Sequence, residues 1–291
     1  MKRFVSIGEC MVELAPGAQA DDLKLGFAGD TFNTAWYVKA LAPDCTSRFV
    51  SRVGSDAISG QMLAMMGKAG IDTSHILQST DRSVGLYLIS LQNGERSFSY
   101  WRDTSAARQL GDDREALEAA TKDVDVIYFS GITMAVLDAT GRRALLDVMR
   151  NARATGRTIV FDSNLRPRLW GTATEMTETI MQAASVSDIV LPSYDDEAEH
   201  FGDADIGATC ARYKEAGAKI VITKNGAGEV LYVHDGQTGR VMPPWVNEIV
   251  DTTSAGEAFN AGVRGAGHEG KTTKRQRQHT PKSLPDGCTR I

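Results

Sequence analysis

Two hydrophobic patterns alternate along the chain and predict a parallel sheet covered by helices. Apolar runs of strand length recur, and each ends in glycine or a polar residue. Between them lie segments with the period of amphipathic helices, the first over about Asp30 to Ala42 and the second over about Asp56 to Ala69. The runs are RFVSIGE, SRFVSRVG, VDVIYFSG, RTIVFDSN, DIVLPS and KIVITKNG. This alternation is typical of an α/β fold whose strands are buried on both faces.

One region departs from the alternation and predicts an antiparallel hairpin. The apolar segments SVGLYLISLQ and RSFSYWRD flank Asn93 and Gly94, a strong signal for a two-residue turn. No segment with helical periodicity separates them. We expect this hairpin to act as a lid over the carboxyl ends of the parallel strands, where ligands bind in open α/β sheets.

Composition excludes several classes of protein. The 291 residues are 42% hydrophobic and 24% charged, with a formal net charge of −5, which indicates a globular chain and excludes fibrous ones. The longest apolar runs are far shorter than the roughly eighteen residues that a membrane helix needs. The N-terminus lacks the apolar core of a signal peptide. We therefore predict a cytoplasmic protein with no membrane partner.

The end of the chain differs in composition from the rest. Residues 264–291 contain seven Lys or Arg and two Asp or Glu, a balance of +5, so residues 1–263 carry −10. This tail has too few apolar residues to offset its ordering entropy. We predict that it is disordered. It lacks aromatic residues that stack on bases and the rest of the chain is acidic, so we expect no nucleic-acid partner.

The segment DTTSAGEAFNAG, from Asp251 to Gly262, carries the sharpest chemical signal. Small residues such as Ala255 and Gly256 permit a tight turn, after which the sequence reads as the opening of a helix. Backbone N–H groups at a helix start bind anions. If a phosphoryl group lies there, Glu257 is placed to take the proton of an attacking hydroxyl. Alternatively, Glu257 only stabilises the helix dipole, and the residues alone leave both interpretations open.

A second candidate is the segment KNGAGE, which follows the strand KIVIT. Gly226 and Gly228 could bring the backbone close to nucleotide phosphates, or could form only a hairpin turn into EVLYVHD. By itself the pattern favours the turn.

Two arginines indicate a substrate with a carboxylate. Asp162, Asn164 and Arg166 alternate where the strand RTIVF ends, so we expect them to point toward the ligand crevice. Tyr100 and Arg102 alternate along the hairpin strand, and we expect them to face the same crevice. The guanidinium fork binds a carboxylate through two parallel hydrogen bonds. The alternative for each arginine is ordinary surface ion pairing.

Together these segments resemble the ribokinase-like (PfkB-type) carbohydrate kinases, and within them the members that act on 2-keto-3-deoxygluconate. The resemblance runs from Phe4 to about Gly262 and rests on SIGECMVEL, GFAGDTFNTA, GLYLIS, ERSFSYWRDTSAAR, YFSGI, FDSNLRPRLW, YDDEAE and DTTSAGEAFNAG. It implies an α/β fold of three layers, α/β/α, with a mostly parallel central sheet and a small antiparallel β lid. The kinase domain would span residues 1–263, with the lid formed by about 10–28 and 84–103. Because the family continues with apolar helices after this point, the resemblance implies that residues 264–291 are a disordered tail or the product of a frameshift that replaces those helices.

The resemblance also implies roles for individual residues. The sugar acid would be bound by Gly29, Asp30, Asn33, Tyr87, Tyr100, Arg102, Asn164 and Arg166. ATP would be bound by Ser193, Lys224, Gly226, Gly228, Asp251 and Thr252. Glu197 matches the acidic residue of the N-x-x-E motif, which organises magnesium through water. Glu257 would be the catalytic base, at a position where the family carries aspartate, with backbone amides of Ala255 and Gly256 neutralising developing charge.

The activity that this resemblance implies is ATP-dependent phosphorylation of 2-keto-3-deoxygluconate at its C6 hydroxyl, with Mg²⁺, in sugar-acid catabolism. Two alternatives stay open. One is a catalytically impaired sugar-acid-binding protein with the kinase fold, and the other is a fructokinase-like enzyme for a neutral sugar. The sequence does not separate the gluconate from the galactonate epimer. Lid hairpins in this family often pair between subunits, which makes a homo-oligomer through the lid a further hypothesis.

Overall fold

The structure, a computed structural model, describes residues 2–19, 22–92, 95–243 and 255–266. The strands are β1 (Arg3–Ile7), β2 (Met11–Pro16), β3 (Leu23–Ala28), β4 (Thr46–Val50), β5 (Arg52–Gly54), β6 (Leu77–Ser79), β7 (Leu86–Gln92), β8 (Glu95–Trp101), β9 (Val126–Ser130), β10 (Thr158–Asp162), β11 (Ile189–Val190), β12 (Ile220–Thr223), β13 (Val230–His234) and β14 (Gln237–Val241). The helices are α1 (Asp30–Leu41), α2 (Ala57–Lys68), α3 (Arg114–Thr121), α4 (Gly131–Val136), α5 (Ala139–Ala154), α6 (Ala173–Ser185), α7 (Tyr194–Phe201), α8 (Ile206–Glu215) and α9 (Ala255–Ala266). Short 3₁₀ turns lie at Ala106–Gln109 and Pro167–Leu169. None of these helices has the length and hydrophobicity that crossing a membrane requires.

The described chain forms two compact units. Unit 1 takes its residues from Met1–Leu110 and Val250–Ile291, and unit 2 from Gly111–Ile249. The kinase domain predicted over residues 1–263 stays a prediction, and α9 continues three residues further, to Ala266. The predictions made for the remainder of the tail, residues 267–291, lie outside the described residues.

Unit 2 is built on a mostly parallel sheet with the strand order β14-β13-β12-β11-β10-β9. Strands β9 to β12 are parallel, and β13 and β14 continue the sheet in antiparallel pairing. Every residue of β9 is buried, and Phe129 on this strand packs on Phe161 of β10 with ring centroids 4.9 Å apart. The near-continuous apolar runs are therefore buried parallel strands, which confirms the prediction made from the hydrophobic pattern.

Unit 1 contains the parallel pair β1 and β4, but it divides one predicted strand. The sequence favoured a single strand over SRFVSRVG, whereas β4 ends at Val50 and β5 pairs with β6 in a separate two-stranded sheet. The division occurs because the chain that follows α2 forms backbone hydrogen bonds with residues on both sides of the break between β4 and β5. The N–H of Leu77 donates to the carbonyl of Ser51 at 3.1 Å, and the N–H of Phe49 donates to that of Asp72 at 3.0 Å.

The remaining strands of unit 1 form a four-stranded sheet in the order β3-β2-β7-β8, which we call the lid sheet. Strands β7 and β8 are the antiparallel hairpin predicted from the sequence, while β2 and β7 are parallel. The predicted turn residues Asn93 and Gly94 lie outside the described residues. A small apolar core of Met11, Ala15, Tyr87 and Ile89 holds the sheet together. The role of this sheet as a lid stays a prediction.

Most helices begin at a side chain that accepts a hydrogen bond from the first turn. The capping aspartates are Asp56, Asp113, Asp138 and Asp205, each 2.7–2.9 Å from the N–H three residues on. Helices α1 and α7 differ, because their capping residues Gly29 and Ser193 provide no such side-chain bond. The first N–H groups of these two helices therefore have no side-chain acceptor from their own cap. Both helices carry residues that the sequence places in the site.

Candidate active site

The predicted site residues are divided between the two units. Unit 1 contains Gly29, Asp30, Asn33, Tyr87, Tyr100, Arg102, Ala255, Gly256 and Glu257. Unit 2 contains Asn164, Arg166, Ser193, Glu197, Lys224, Gly226 and Gly228. Asp251 and Thr252 lie outside the described residues. The predicted convergence of Arg102 and Arg166 therefore stays a prediction, and each unit is described by itself.

Helix α1 in unit 1 begins at a position where only glycine fits. A Cβ atom at Gly29 would lie 2.1 Å from the carbonyl oxygen of Glu9, closer than any real contact. The side-chain oxygen of Asn33 approaches the N–H of Gly29 at 3.5 Å, and Asp30 occupies the first helical position. The G-D-x-x-N segment thus brings the start of α1 against the backbone that follows β1.

We expect Gly29→Ala to lower the free energy of unfolding by about 1–3 kcal/mol, because the new methyl group forces two backbone segments apart. Chemical denaturation measures this loss. Gly60→Ala is the matched control: Gly60 lies in α2 with no atom within 4 Å of a new Cβ. Alanine is favoured over glycine within a helix, so this control should be as stable as the parent or more stable. Equal stability of the two variants would contradict the close approach at Gly29.

Helix α9 packs against α1 within unit 1. It begins at Ala255, in agreement with the helix predicted for this segment, and Gly256 and Glu257 lie half-buried in its first turn. The helix that carries the predicted base therefore neighbours the helix that begins with Asp30. The anion-binding role of the α9 N-terminus and the role of Glu257 stay predictions.

The lid sheet places a tyrosine against a buried carboxylate that sequence reasoning missed. Glu13 on β2 lies directly opposite Tyr87 on β7, and the Tyr87 hydroxyl donates to its Oε2 atom. Burial, and then the Glu13 charge, raise the pKa of Tyr87 above its ordinary value. Tyr100 lies opposite Tyr87 on β8, with ring centroids 5.8 Å apart, and is half exposed. An acidic residue inside the apolar run MVEL was the signal available for Glu13.

Arg102 lies immediately after β8 and is buried, so it is not a surface arginine. Its Nη2 group donates to Oε2 of Glu9, and the Ser105 hydroxyl donates to Oε1 of the same carboxylate at 2.5 Å. The guanidinium carbon lies 6.0 Å from the centre of the Tyr100 ring, whereas Trp101 between them is 59% exposed. Sequence reasoning assigned no role to Glu9 or Ser105.

In unit 2, strand β10 ends at Asp162, and the backbone changes direction there. The Asn164 N–H donates to Oδ1 of Asp162 at 3.1 Å, and Asn164 adopts a positive φ of 31°. Strand alternation therefore ends at Asp162, and our expectation that it extends to Arg166 is wrong. Asp162 and Asn164 are buried, whereas Arg166 is exposed.

Lys224 joins the ends of neighbouring strands in unit 2. Its N–H donates to the carbonyl of Pro192, and its carbonyl accepts from the N–H of Tyr194, both at 2.8 Å. Its Nζ lies 3.0 Å from Oδ2 of Asp162. This arrangement places Lys224 beside Ser193, with which it forms a parallel bridge.

The KNGAGE segment forms the turn between β12 and β13, which confirms the hairpin interpretation. Gly226 has a positive φ of 49°, a conformation that favours glycine, and the N–H of Gly228 donates to the carbonyl of Asn225 at 2.6 Å. A hairpin turn does not exclude a nucleotide beside the same backbone. The ATP-binding role of these glycines stays a prediction.

The first turn of α7 carries the carboxylates of Asp196 and Glu197, which have different partners. Glu197 is fully buried: Tyr213 donates to both its oxygens at 3.0 Å, and Arg212 donates to Oε2 at 2.8 Å. Burial raises the pKa of Glu197, while hydrogen bonds and the Arg212 charge act in the opposite direction. Glu197 therefore ties α7 to α8, and its predicted role in organising magnesium stays a prediction.

Asp196, the neighbour of Glu197, lies among other charged residues of unit 2. Burial raises the pKa of its carboxyl, and the charge of Asp162 acts in the same direction. The positive charges of Arg166, His200 and Lys224 oppose this shift. Sequence reasoning missed Asp196 because the motif match pointed to the next residue. Within the described residues, no three His, Cys, Asp or Glu side chains come close enough to hold a metal ion by themselves.

Comparisons with known proteins agree with this architecture. A family model described as pfkB family carbohydrate kinase matches residues 1–275. A 2-dehydro-3-deoxygluconokinase of Haemophilus influenzae is 38% identical over 269 residues, which cover 90% of this chain and 85% of the relative. The protein of the same name from Escherichia coli K12 is 36% identical over 270 residues, covering 90% and 86%.

A solved structure of a PfkB protein from Polaromonas sp. JS666 superposes with a TM-score of 0.79 at 28% identity, covering 93% of this chain and 90% of that chain. This likeness confirms the ribokinase-like fold, with its mostly parallel sheet and small antiparallel sheet. The family match extends over nearly the whole sequence and includes both units. The chain therefore belongs to the pfkB family of carbohydrate kinases.

Proposed function

We propose that this kinase transfers the γ-phosphoryl group of ATP to the C6 hydroxyl of 2-keto-3-deoxygluconate, the compound also called 2-dehydro-3-deoxygluconate. The products are 2-keto-3-deoxy-6-phosphogluconate and ADP. The observation that carries the proposal is the 36–38% identity to two relatives named for this reaction, over 90% of the chain. The charges and hydrogen-bonding groups of unit 1 suit such a substrate.

A sugar acid needs a cation for its carboxylate and polar groups for its hydroxyls. Arg102 supplies a buried guanidinium, and hydrogen bonds to a charged group in a dry site are stronger than those at a surface. Asp30 and Asn33 lie at the start of α1, where carboxylate and amide groups suit sugar hydroxyls. Tyr100 adds a half-exposed ring on β8.

The chemical step is an in-line displacement at phosphorus. The C6 oxygen forms a bond to the γ-phosphorus, the bond between that phosphorus and the bridging oxygen of ADP breaks, and the hydroxyl proton passes to Glu257. The first N–H groups of α9 face charge that develops on the transferring group, which a helix N-terminus stabilises. Glu257 in the first turn of the same helix is thus close to the reacting centre.

The nucleotide would be bound by unit 2. Lys224 offers a cation at the end of β12, and the turn that contains Gly226 and Gly228 offers backbone N–H groups. Mg²⁺ bound to the phosphates would neutralise their charge, and it usually keeps several waters in kinase sites. Asp196 fits a role in holding such a water, because its carboxylate lies near Lys224. The hydrogen bonds from Arg212 and Tyr213 go to Glu197 instead.

The test is ADP release by the purified full chain with ATP, Mg²⁺ and 2-keto-3-deoxygluconate, with fructose and 2-keto-3-deoxygalactonate as comparison sugars. Release that depends on the sugar acid and not on fructose supports the proposal. Thermal stabilisation by the sugar acid without ADP release would favour a binding protein that has lost turnover. Faster release with fructose would replace the proposal with a fructokinase.

Arg166→Ala should raise the KM for 2-keto-3-deoxygluconate about tenfold to a hundredfold, because a hydrogen bond to a charged group is worth about 1.5–3 kcal/mol. Steady-state kinetics with varied sugar acid measure the change. Arg168→Ala is the matched control, since Arg168 is also exposed and lies two residues further on. The control should leave the KM unchanged, and an equal effect of both variants would argue against a specific contact at Arg166.

A further inference from the structure

Glu9 is a buried carboxylate in the first segment of the chain, and the reaction as described gives it no task. It lies between β1 and β2 and is 2% exposed. Both of its oxygens accept hydrogen bonds in the described structure, Oε2 from Arg102 and Oε1 from Ser105. All three residues are buried in unit 1, so the carboxylate and the guanidinium form an ion pair that is nearly removed from water.

Stability alone does not account for such a pair. Removing two charges from water costs about as much as their attraction returns, and apolar residues of similar volume often stabilise a protein equally well. What a buried pair does provide is a fixed geometry, because few other arrangements satisfy both charges. The Ser105 hydroxyl adds to this effect by holding the second oxygen of Glu9.

The contacts of Arg102 leave part of its hydrogen-bonding capacity for a ligand. A guanidinium has five N–H donors, and in the described part of the chain the acceptor of Arg102 is Glu9, through Nη2. The space around the pair is narrow on the side of Gly85, where an added Cβ would lie 3.1 Å from Oε1 of Glu9 and 3.2 Å from Cβ of Arg102. The backbone at Gly85 therefore closes one side of the pair, and the hydrogen bonds from Arg102 and Ser105 hold the two oxygens of Glu9.

We propose that Glu9 is a positioning residue, which fixes the guanidinium of Arg102 so that its remaining N–H groups meet the carboxylate of the sugar acid. The inference rests on the function proposed above. A long arginine side chain that is ordered before binding loses less entropy when the substrate arrives. The carboxylate of the sugar acid lies at the opposite end of the substrate from the reacting C6 hydroxyl. Its contact with Arg102 is therefore the same in the ground state and in the transition state. Its loss raises KM and leaves kcat largely unchanged.

The test compares Glu9→Gln with the parent enzyme. Glutamine keeps the shape of the side chain but removes the charge that holds the guanidinium. We expect the KM for 2-keto-3-deoxygluconate to rise about tenfold to a hundredfold, with kcat and the KM for ATP changed by less than about twofold. Glu9→Asp retains the charge at a shorter reach and should restore part of the affinity. Ser105→Ala removes only the second hydrogen bond, so it should fold and give a smaller rise in KM.

Asp72→Asn is the matched control for loss of a carboxylate from an ion pair in unit 1. Asp72 accepts from Nε of the buried Arg48 at 2.9 Å, and neither residue belongs to the proposed site. This variant should lower the melting temperature and leave both KM values unchanged. The inference is overturned if Glu9→Gln behaves like Asp72→Asn, with lower stability and an unaltered KM for the sugar acid. It is also overturned if that KM falls, because Glu9 would then be competing with the substrate for Arg102.

The inference and the proposed function fail in different ways. If the parent chain releases no ADP, the function fails first, and calorimetric titration with the sugar acid then measures binding directly. Weaker binding by Glu9→Gln and Ser105→Ala, with normal binding by Asp72→Asn, supports the positioning role without any turnover. Equal affinity of all four proteins would refute it.

Discussion

Replacing Glu257 with glutamine should lower kcat for 2-keto-3-deoxygluconate by about 10²- to 10⁴-fold, because proton acceptance by a positioned carboxylate contributes a factor of that size. The KM values for the sugar acid and ATP should change little, since the amide keeps the shape of the side chain. Stability should fall by no more than about 1 kcal/mol, the usual contribution of an acidic residue in the first turn of a helix. Coupled ADP release measures the rate, and thermal unfolding measures the stability.

Glu115→Gln is the control that separates a base from a residue that only stabilises a helix dipole. Glu115 occupies the first turn of α3, as Glu257 occupies that of α9, and it is exposed. This variant should keep full turnover. Glu257→Asp should keep more turnover than Glu257→Gln, since it retains a carboxylate. If glutamine at 257 left kcat at the parent value, Glu257 would not be the base.

Arg212→Met should lower the free energy of unfolding by about 3–5 kcal/mol, the usual cost of leaving a buried charge without its partner. Arg212 donates to Glu197 at 2.8 Å and to Asp203 at 2.5 Å, and it lies over the ring of Phe201 at 3.7 Å. Methionine retains the apolar stem, so the loss reports mainly on charge. Chemical denaturation measures it. The double variant Glu197→Gln, Arg212→Met should recover part of the lost stability, because the two effects are coupled.

The loss in Arg212→Met should also depend on pH. Burial holds the pKa of Glu197 above its value in the unfolded chain, so the folded state binds the proton more tightly and stability falls as pH rises through the interval between the two values. Without Arg212 the pKa of Glu197 in the folded state rises further. The pH interval over which stability is lost therefore extends to higher pH. The variant should therefore lose more stability at about pH 8 than at about pH 5.

Arg114→Met provides the control for this prediction. Arg114 forms ion pairs with Glu118 and Asp147, but its side chain is 48% exposed. Exposed pairs contribute little, so the free energy of unfolding should stay close to that of the parent at either pH. A similar loss in both variants would mean that the network around Glu197 has no special energetic role.

The sheet and its helices could be predicted from the sequence because burial on both faces of a parallel strand leaves a continuous apolar run. The same local reasoning failed at SRFVSRVG, where Val50 precedes Ser51 and Val53 follows two residues later. What divides the run is a backbone segment that arrives from beyond α2 and pairs with β5. No local pattern records such a partner.

Motif matching proposed the candidate site residues, whose roles stay predictions, and it did not identify the residues that hold their side chains in place. Glu9 and Glu13 were readable only as acidic residues in an apolar segment, and their partners come from β7 and the segment after β8. The sequence also did not separate Asp196 from Glu197. Neighbours on a helix point about 100° apart, so one faces α8 and the other the charged end of the sheet.

The discontinuous make-up of unit 1 has a consequence for the order in which the chain folds. Helix α1 ends at Leu41, yet the helix it packs against begins at Ala255 and is synthesised after all of unit 2. Unit 2 is a continuous stretch of chain and can fold while still near the ribosome. Unit 1 must wait for its last helix, and contacts across so long a loop form slowly. In refolding experiments, α1 should therefore gain protection from hydrogen exchange later than the strands of unit 2.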